Sequence, residues 1–382
     1  MKGRVLQFLK DNIVSFCLYS FFIIGINLIF ASSAKFHTSG ISYEGYETIT
    51  YQLVIPAMIS IILSSINVCS YRFNKDKVDA YYQFPISKKR FFLERFFTTF
   101  ILILIVFTVS YLISVAFIAA KNYEGPQSEY QVETFLYYNY IWYVPFYFCG
   151  AYVLFVTFSI STFLCYFATC KNNGIFNVLF GLLALFVIPT AVFGVFARFN
   201  LLPELENAED FTLSMTSTGY FYNFTPFAVN NVFADIFGPL LYNGNSILRG
   251  LDILNLVLSL VLGAGSFIYI VLKKEMPAEK AGDKGTDNNF IKVLIHVVFY
   301  FGFIMVALRT SYGIPEYDSL PIMNLVLAFL ISLSYLGCLF AYFKTVKLSK
   351  TTRIIYGAYI AMTIVVEIIC FNVTAISYKT VY

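Results

Sequence analysis

Charge is scarce in this chain. Only 13% of its 382 residues are Asp, Glu, Lys or Arg, about half the share of a typical soluble domain. With 59% hydrophobic residues and a mean hydropathy of +0.72, the apolar surface is too large for one globular core with a polar skin. The same composition excludes a disordered chain, and a net charge of +4 gives no footprint for nucleic acid. Histidine is nearly absent: His37 and His296 are the only two, so an H-E-x-x-H zinc helix cannot form. No G-x-x-x-x-G-K-[ST] phosphate loop occurs, so the chain has no Walker site of its own. The seven cysteines include no C-x-x-C pair, and they lie in or beside apolar runs, where they read as small packing residues.

What is present is apolar sequence in blocks of about 20 residues, the length that crosses a ~30 Å hydrocarbon layer as helix. Nine candidate spans fall at roughly 13–33, 51–71, 97–120, 142–169, 175–197, 251–272, 290–308, 322–343 and 354–375. The expected fold class is all-α, a polytopic helical membrane protein of about nine transmembrane helices. The first block ends in Ala31-Ser32-Ser33-Ala34 and imitates a signal peptide, but it is long for such a segment and reads as a retained span. Counting Lys and Arg by alternate loop gives 20 on one side and six on the other. The positive-inside rule then places the N-terminus in the cytoplasm and, with an odd number of spans, the C-terminus outside a cell membrane.

Residues 1–12 carry Val5, Phe8 and Leu9 on one helical face beside Lys2, Arg4 and Lys10, the pattern of an interfacial elbow helix. Residues 13–272 form the expected six-span core. Within it, 198–250 is an aromatic stretch broken by Pro and Gly, which reads as an outer re-entrant segment. A cytoplasmic linker at 273–292 leads to a three-span extension at 290–382. Glu367 is the one clear ionisable residue inside a span, and His296 lies about one and a half turns into the seventh; both are intramembrane polar candidates. One carboxylate is thin support for an ion-coupled secondary transporter, which would also need inverted repeats. A membrane immunity or sensor protein that binds a peptide without transport is a further alternative.

The longest basic loop, 72–95, reads RFNKDKVDAYYQFPISKKRFFLER. Asp76, Asp79 and Gln83 fall on one face of a short helix, and Val78, Tyr81, Tyr82 and Pro85 on another. Pro85 ends that helix, and Ser87 is placed to cap the next. An ordinary positive-inside loop explains the basic residues but not the apolar stripe.

The run KVDAYYQFPISKKRFFLERFF resembles the valine-aspartate … leucine-proline-isoleucine-serine-arginine loop of permease subunits in type-2 ABC exporters. Phe84 stands for the usual leucine and Lys88 for the common arginine. VLKKEMPAEKAG at 271–282 is similar to a segment after the sixth span in one Gram-positive branch, and NFTPFAVNNVF looks like that family's outer re-entrant region. The resemblance covers residues 1–282 in order. It implies a permease without its own ATPase site, so not itself an enzyme. The chain would hold no cofactor; ATP and Mg would be bound by separate ABC ATPase subunits docking from the cytoplasm. A second permease subunit, identical or related, would complete the membrane unit. Residues 75–84 would be the coupling helix, with Asp76, Val78, Asp79, Tyr81, Tyr82, Phe84, Pro85 and Ser87 at the ATPase contact. The outer side is acidic and aromatic, which suits a cationic amphipathic substrate such as a peptide; lipid-like or drug-like amphiphiles are the alternatives.

Overall fold

The structure is a computed structural model, and it describes residues 2–33, 60–82, 87–122, 143–198, 250–272, 289–310 and 320–381. Among these residues there is no strand. Ten α-helices are described: α1 (Lys2–Ser33), α2 (60–69), α3 (Lys75–Tyr82), α4 (Lys88–Asn122), α5 (Tyr143–Tyr166), α6 (Lys171–Arg198), α7 (Gly250–Leu272), α8 (Asn289–Thr310), α9 (Leu320–Phe343) and α10 (Lys350–Val381). A 3-10 turn, Ser70–Phe73, joins α2 to α3. Helices at Lys89–Ile113, Tyr147–Tyr166, Lys171–Pro189 and Leu325–Phe343 are each long and apolar enough to cross a membrane. Shorter apolar helices occupy Asn12–Gly25, Leu256–Leu272 and Ile291–Ile304. The expected re-entrant segment and linker, apart from their helical ends, lie outside the described residues. The expected N-terminal elbow is the start of α1, which runs unbroken into the first apolar block.

The outer faces of these helices are as apolar as the inner ones. On α4, Phe97, Ile101, Ile105, Val109 and Leu112 are exposed at near-fourfold spacing, while Phe92, Phe96, Ile103, Phe107 and Tyr111 are buried on the opposite face. In water such a helix would present a row of unsatisfied apolar side chains; in hydrocarbon both faces are matched. Polarity is concentrated inside instead. Thr157 and Thr162 are buried on α5, and each hydroxyl donates to the carbonyl four residues earlier, at 2.8 and 2.7 Å.

The described residues divide into two units. The first comprises residues 1–178 and 226–284, the second 179–225 and 285–382. In the first, α1 packs on α4, and α5 packs on both α4 and α7. Hydroxyl and amide bonds cross these helices: Asn67 Nδ2 donates to Tyr19 Oη at 3.0 Å, Thr108 pairs with Tyr147 at 2.8 Å, and Tyr152 pairs with Ser259 at 2.8 Å. The α5–α7 approach depends on Gly263. A Cβ there would lie 3.0 Å from Val156 Cγ2 and 3.2 Å from Val156 Cα, which is the small-residue contact that lets two backbones close together.

In the second unit α8 packs on α9 and α10, and α9 packs on α10. Its centre is aromatic. Tyr335 is fully buried, stacks on Phe299 at 4.6 Å, and meets Tyr359 at 4.9 Å and Tyr356 at 5.4 Å.

Candidate functional site

The loop singled out by its sequence is built around the 3-10 turn. Such a turn has 3.0 residues per turn, so consecutive side chains point about 120° apart. Three consecutive residues therefore address three different helices. The Tyr71 ring meets Phe91 of α4 edge-on at 5.2 Å. The Arg72 guanidinium lies 3.9 Å over the Tyr166 ring, and its Nη1 donates to the Tyr166 carbonyl at the end of α5. Phe73 reaches α6, where its ring tip would come within 3.1 Å of a Cβ placed at Gly174. Just before the turn, Cys69 Sγ donates to the carbonyl of Thr162 at 4.0 Å, so α5 is held a second time.

A second buried cation reinforces the first. Arg95, on α4, is 6% exposed and Arg72 is 7% exposed. The Arg95 guanidinium lies 4.5 Å from the Phe91 ring, 4.9 Å from Phe8 and 5.0 Å from Tyr71. Burial of a charge is costly unless something replaces its water, and here aromatic faces do so. Arg95 thus joins the N-terminal turns of α1, the 3-10 turn and α4 in one cluster.

From this hub the chain turns into α3. Asn74 is extended (φ −135°, ψ 124°) and caps the helix: its Oδ1 accepts the Asp76 N–H at 2.9 Å, and its carbonyl accepts Val78 N–H at 3.1 Å. Val78 is 2% exposed, whereas Lys75, Asp76, Lys77 and Asp79 are exposed, so Val78 is the buried residue among these five. Ser87 is exposed and opens α4. Its carbonyl accepts the Phe91 N–H at 3.1 Å, and its Oγ accepts the Arg90 N–H at 3.4 Å. Arg90 in turn pairs with Glu94 at 3.2 Å, one turn on. Tyr81 and Tyr82 are the last residues of α3; the positions of their side chains, and Phe84 and Pro85 altogether, lie outside the described residues.

The two intramembrane candidates lie in the second unit. His296 Nδ1 hydrogen-bonds to the Tyr335 hydroxyl, and the two rings meet edge-on at 5.7 Å, so this histidine belongs to the aromatic core. Glu367 lies on α10; its side chain is outside the described residues. Among the described residues no three His, Cys, Asp or Glu converge as a metal site.

Sequence reasoning passed over Arg72, Arg95 and Asn74. The two arginines counted only as positive-inside charges. The available signal was their setting, Tyr-Arg-Phe and Glu-Arg-Phe-Phe, where aromatic neighbours flank each cation. No protein-family model, no curated protein and no solved structure matches this chain.

Proposed function

We propose that the chain is the permease subunit of a type-2 ABC exporter, with nine spans, a cytoplasmic N-terminus and separate ATPase subunits. It moves an amphipathic substrate, a peptide or a lipid-like or drug-like molecule, out of the cell or its membrane. What supports the reading is the 3-10 turn. A short helix with exposed charges is fastened to four other helices through Cys69, Tyr71, Arg72, Phe73 and Arg95. A push on α3 therefore acts on α1, α4, α5 and α6 together, which is what transmission from a docked ATPase requires. The exposed Asp76 and Asp79 offer the docking contacts, and Val78 anchors the helix from beneath. ATP binding in the partner then shifts the permease between two arrangements of its helices by favouring one of them.

The test is purification of the chain from its native host. An ATPase subunit should accompany it, and Asp79→Arg should abolish substrate-stimulated ATP hydrolysis while leaving the amount of membrane-inserted chain unchanged. Isolation of the chain alone, with no ATP-dependent activity in any reconstitution, would overturn the reading.

A further inference from the structure

The α9–α10 hairpin of the second unit carries a groove that the exporter reading does not use. Its walls are two ridges at fourfold spacing: Leu325, Phe329 and Leu333 on α9, and Ile360, Ile364 and Ile368 on α10. Between them is a cavity of about 660 Å³, within the 300–1,000 Å³ range of small-molecule sites. The floor contains three hydroxyls, and all three are already committed. Ser332 Oγ donates to the Ala328 carbonyl at 2.8 Å, Thr363 Oγ1 to the Tyr359 carbonyl at 2.9 Å, and Tyr356 Oη to the Ser332 carbonyl at 3.2 Å. The groove therefore offers hydrocarbon and no polar handle. A lining of this kind suits an alkyl chain.

The polar end of that occupant is indicated by charge. The turn joining the two helices and the first turn of α10 carry Lys344, Lys347, Lys350 and Arg353, all exposed, and no acidic residue lies between 344 and 353. None of the four has an ion-pair partner among the described residues. Lys344 takes a left-handed conformation (φ 52°), turning the chain just after α9. Arg353, Tyr356, Ile360 and Ile364 recur at i, i+3, i+7 and i+11, so the cation nearest the groove shares its helical face, about 4.5 Å of rise before Tyr356. The opposite end of the groove, beyond Leu325 and Ile368, has no comparable cluster of cations in the sequence.

We propose that this hairpin binds an anionic phospholipid, with one acyl chain in the α9–α10 groove and the phosphate headgroup over Lys344, Lys347, Lys350 and Arg353. The site requires the hairpin to lie in a bilayer, and it stands or falls independently of the exporter reading. Each cation near an anionic headgroup favours binding roughly fivefold. The acyl chain adds the shape selection that a flat lipid-facing helix pair lacks.

The test uses the full chain in nanodiscs of phosphatidylcholine containing a minor fraction of phosphatidylglycerol, released into detergent and weighed by native mass spectrometry. About one phosphatidylglycerol should remain per chain and phosphatidylcholine should not. Arg353→Glu with Lys350→Glu should reduce retention at least tenfold. Leu333→Trp, which fills the groove, should do the same, while Leu330→Trp, on an exposed part of α9 outside the groove, should retain the lipid. Unchanged circular dichroism and elution establish that each variant is folded. Equal retention of both lipids by the wild-type chain, or retention insensitive to both the charge and the groove variants, overturns the proposal. So does efficient Phe329→Cys cross-linking between two copies in the nanodisc, which would place a second chain in the groove.

Discussion

The Arg72 guanidinium covers the Tyr166 ring at 3.9 Å while donating to the carbonyl of the same residue. One cation thereby closes the end of α5 in two ways, satisfying a terminal carbonyl and capping a ring with positive charge. Both interactions are shielded from water, since Arg72 is almost wholly buried. Replacing it by Met should cost about 2–4 kcal/mol, from the lost cation–π contact and the lost charged hydrogen bond. Arg72→Lys should recover less than half of that, because an ammonium keeps the charge but not the planar fork. Thermal unfolding in detergent measures both. Equal melting temperatures for wild type and Arg72→Met would remove the clamp from the account.

The cap at Asn74 makes a smaller and more local prediction. An isolated helix of eight residues such as α3 is unstable in water, so its ends matter more than its length. Asn74→Ala should cost about 1 kcal/mol and raise amide exchange across residues 77–82 roughly fivefold. Asn74→Asp should leave exchange unchanged, because a carboxylate accepts the same N–H. Ser87→Ala, which removes a longer 3.4 Å bond at an exposed position, should have the smaller effect of the two.

Features local in sequence are legible in it, and contacts between distant elements are not. Apolar block length placed α5 to α9 within a few residues of their observed ends, because hydrocarbon matching is a composition effect that needs no partner. The Ser87 cap was legible for a similar reason, being local in sequence. The aromatic enclosure of Arg95 was not. It joins Phe8, Tyr71 and Phe91 from three separate elements, and nothing in a linear reading distinguishes such a buried cation from the basic residues that merely face headgroups. The α9–α10 groove was hidden likewise, since its two ridges become neighbours only after the hairpin closes.

Two glycines of α7 should respond to the same substitution with opposite sign. Gly263 faces Val156 at a distance that a methyl group would violate, whereas a Cβ at Gly265 meets nothing within 4 Å. Gly263→Ala should therefore destabilise the α5–α7 pair, and Gly265→Ala should be neutral or stabilising by up to about 1 kcal/mol through helix propensity. Combining Gly263→Ala with Val156→Ala should restore part of the loss, giving a non-additive cycle between touching residues. Additive behaviour would mean that the two helices do not meet at this point.

His296 is tied into the aromatic core of the second unit. Its Nδ1 bonds to the hydroxyl of Tyr335, a residue with no exposed surface, stacked on Phe299. Tyr335→Phe deletes one hydroxyl and leaves the ring packing intact, so it should cost about 1–2 kcal/mol, mainly from the unsatisfied imidazole. Tyr335→Ala also empties a ring-sized volume and should cost about 3–5 kcal/mol. If His296 serves this core, His296→Ala and Tyr335→Phe must couple by more than about 0.5 kcal/mol in a double-mutant cycle read by unfolding. If the chain transports as proposed, any loss of transport in either variant should track its loss of stability. A His296→Ala variant that melts at the wild-type temperature and shows no coupling to Tyr335→Phe would remove the histidine from this core.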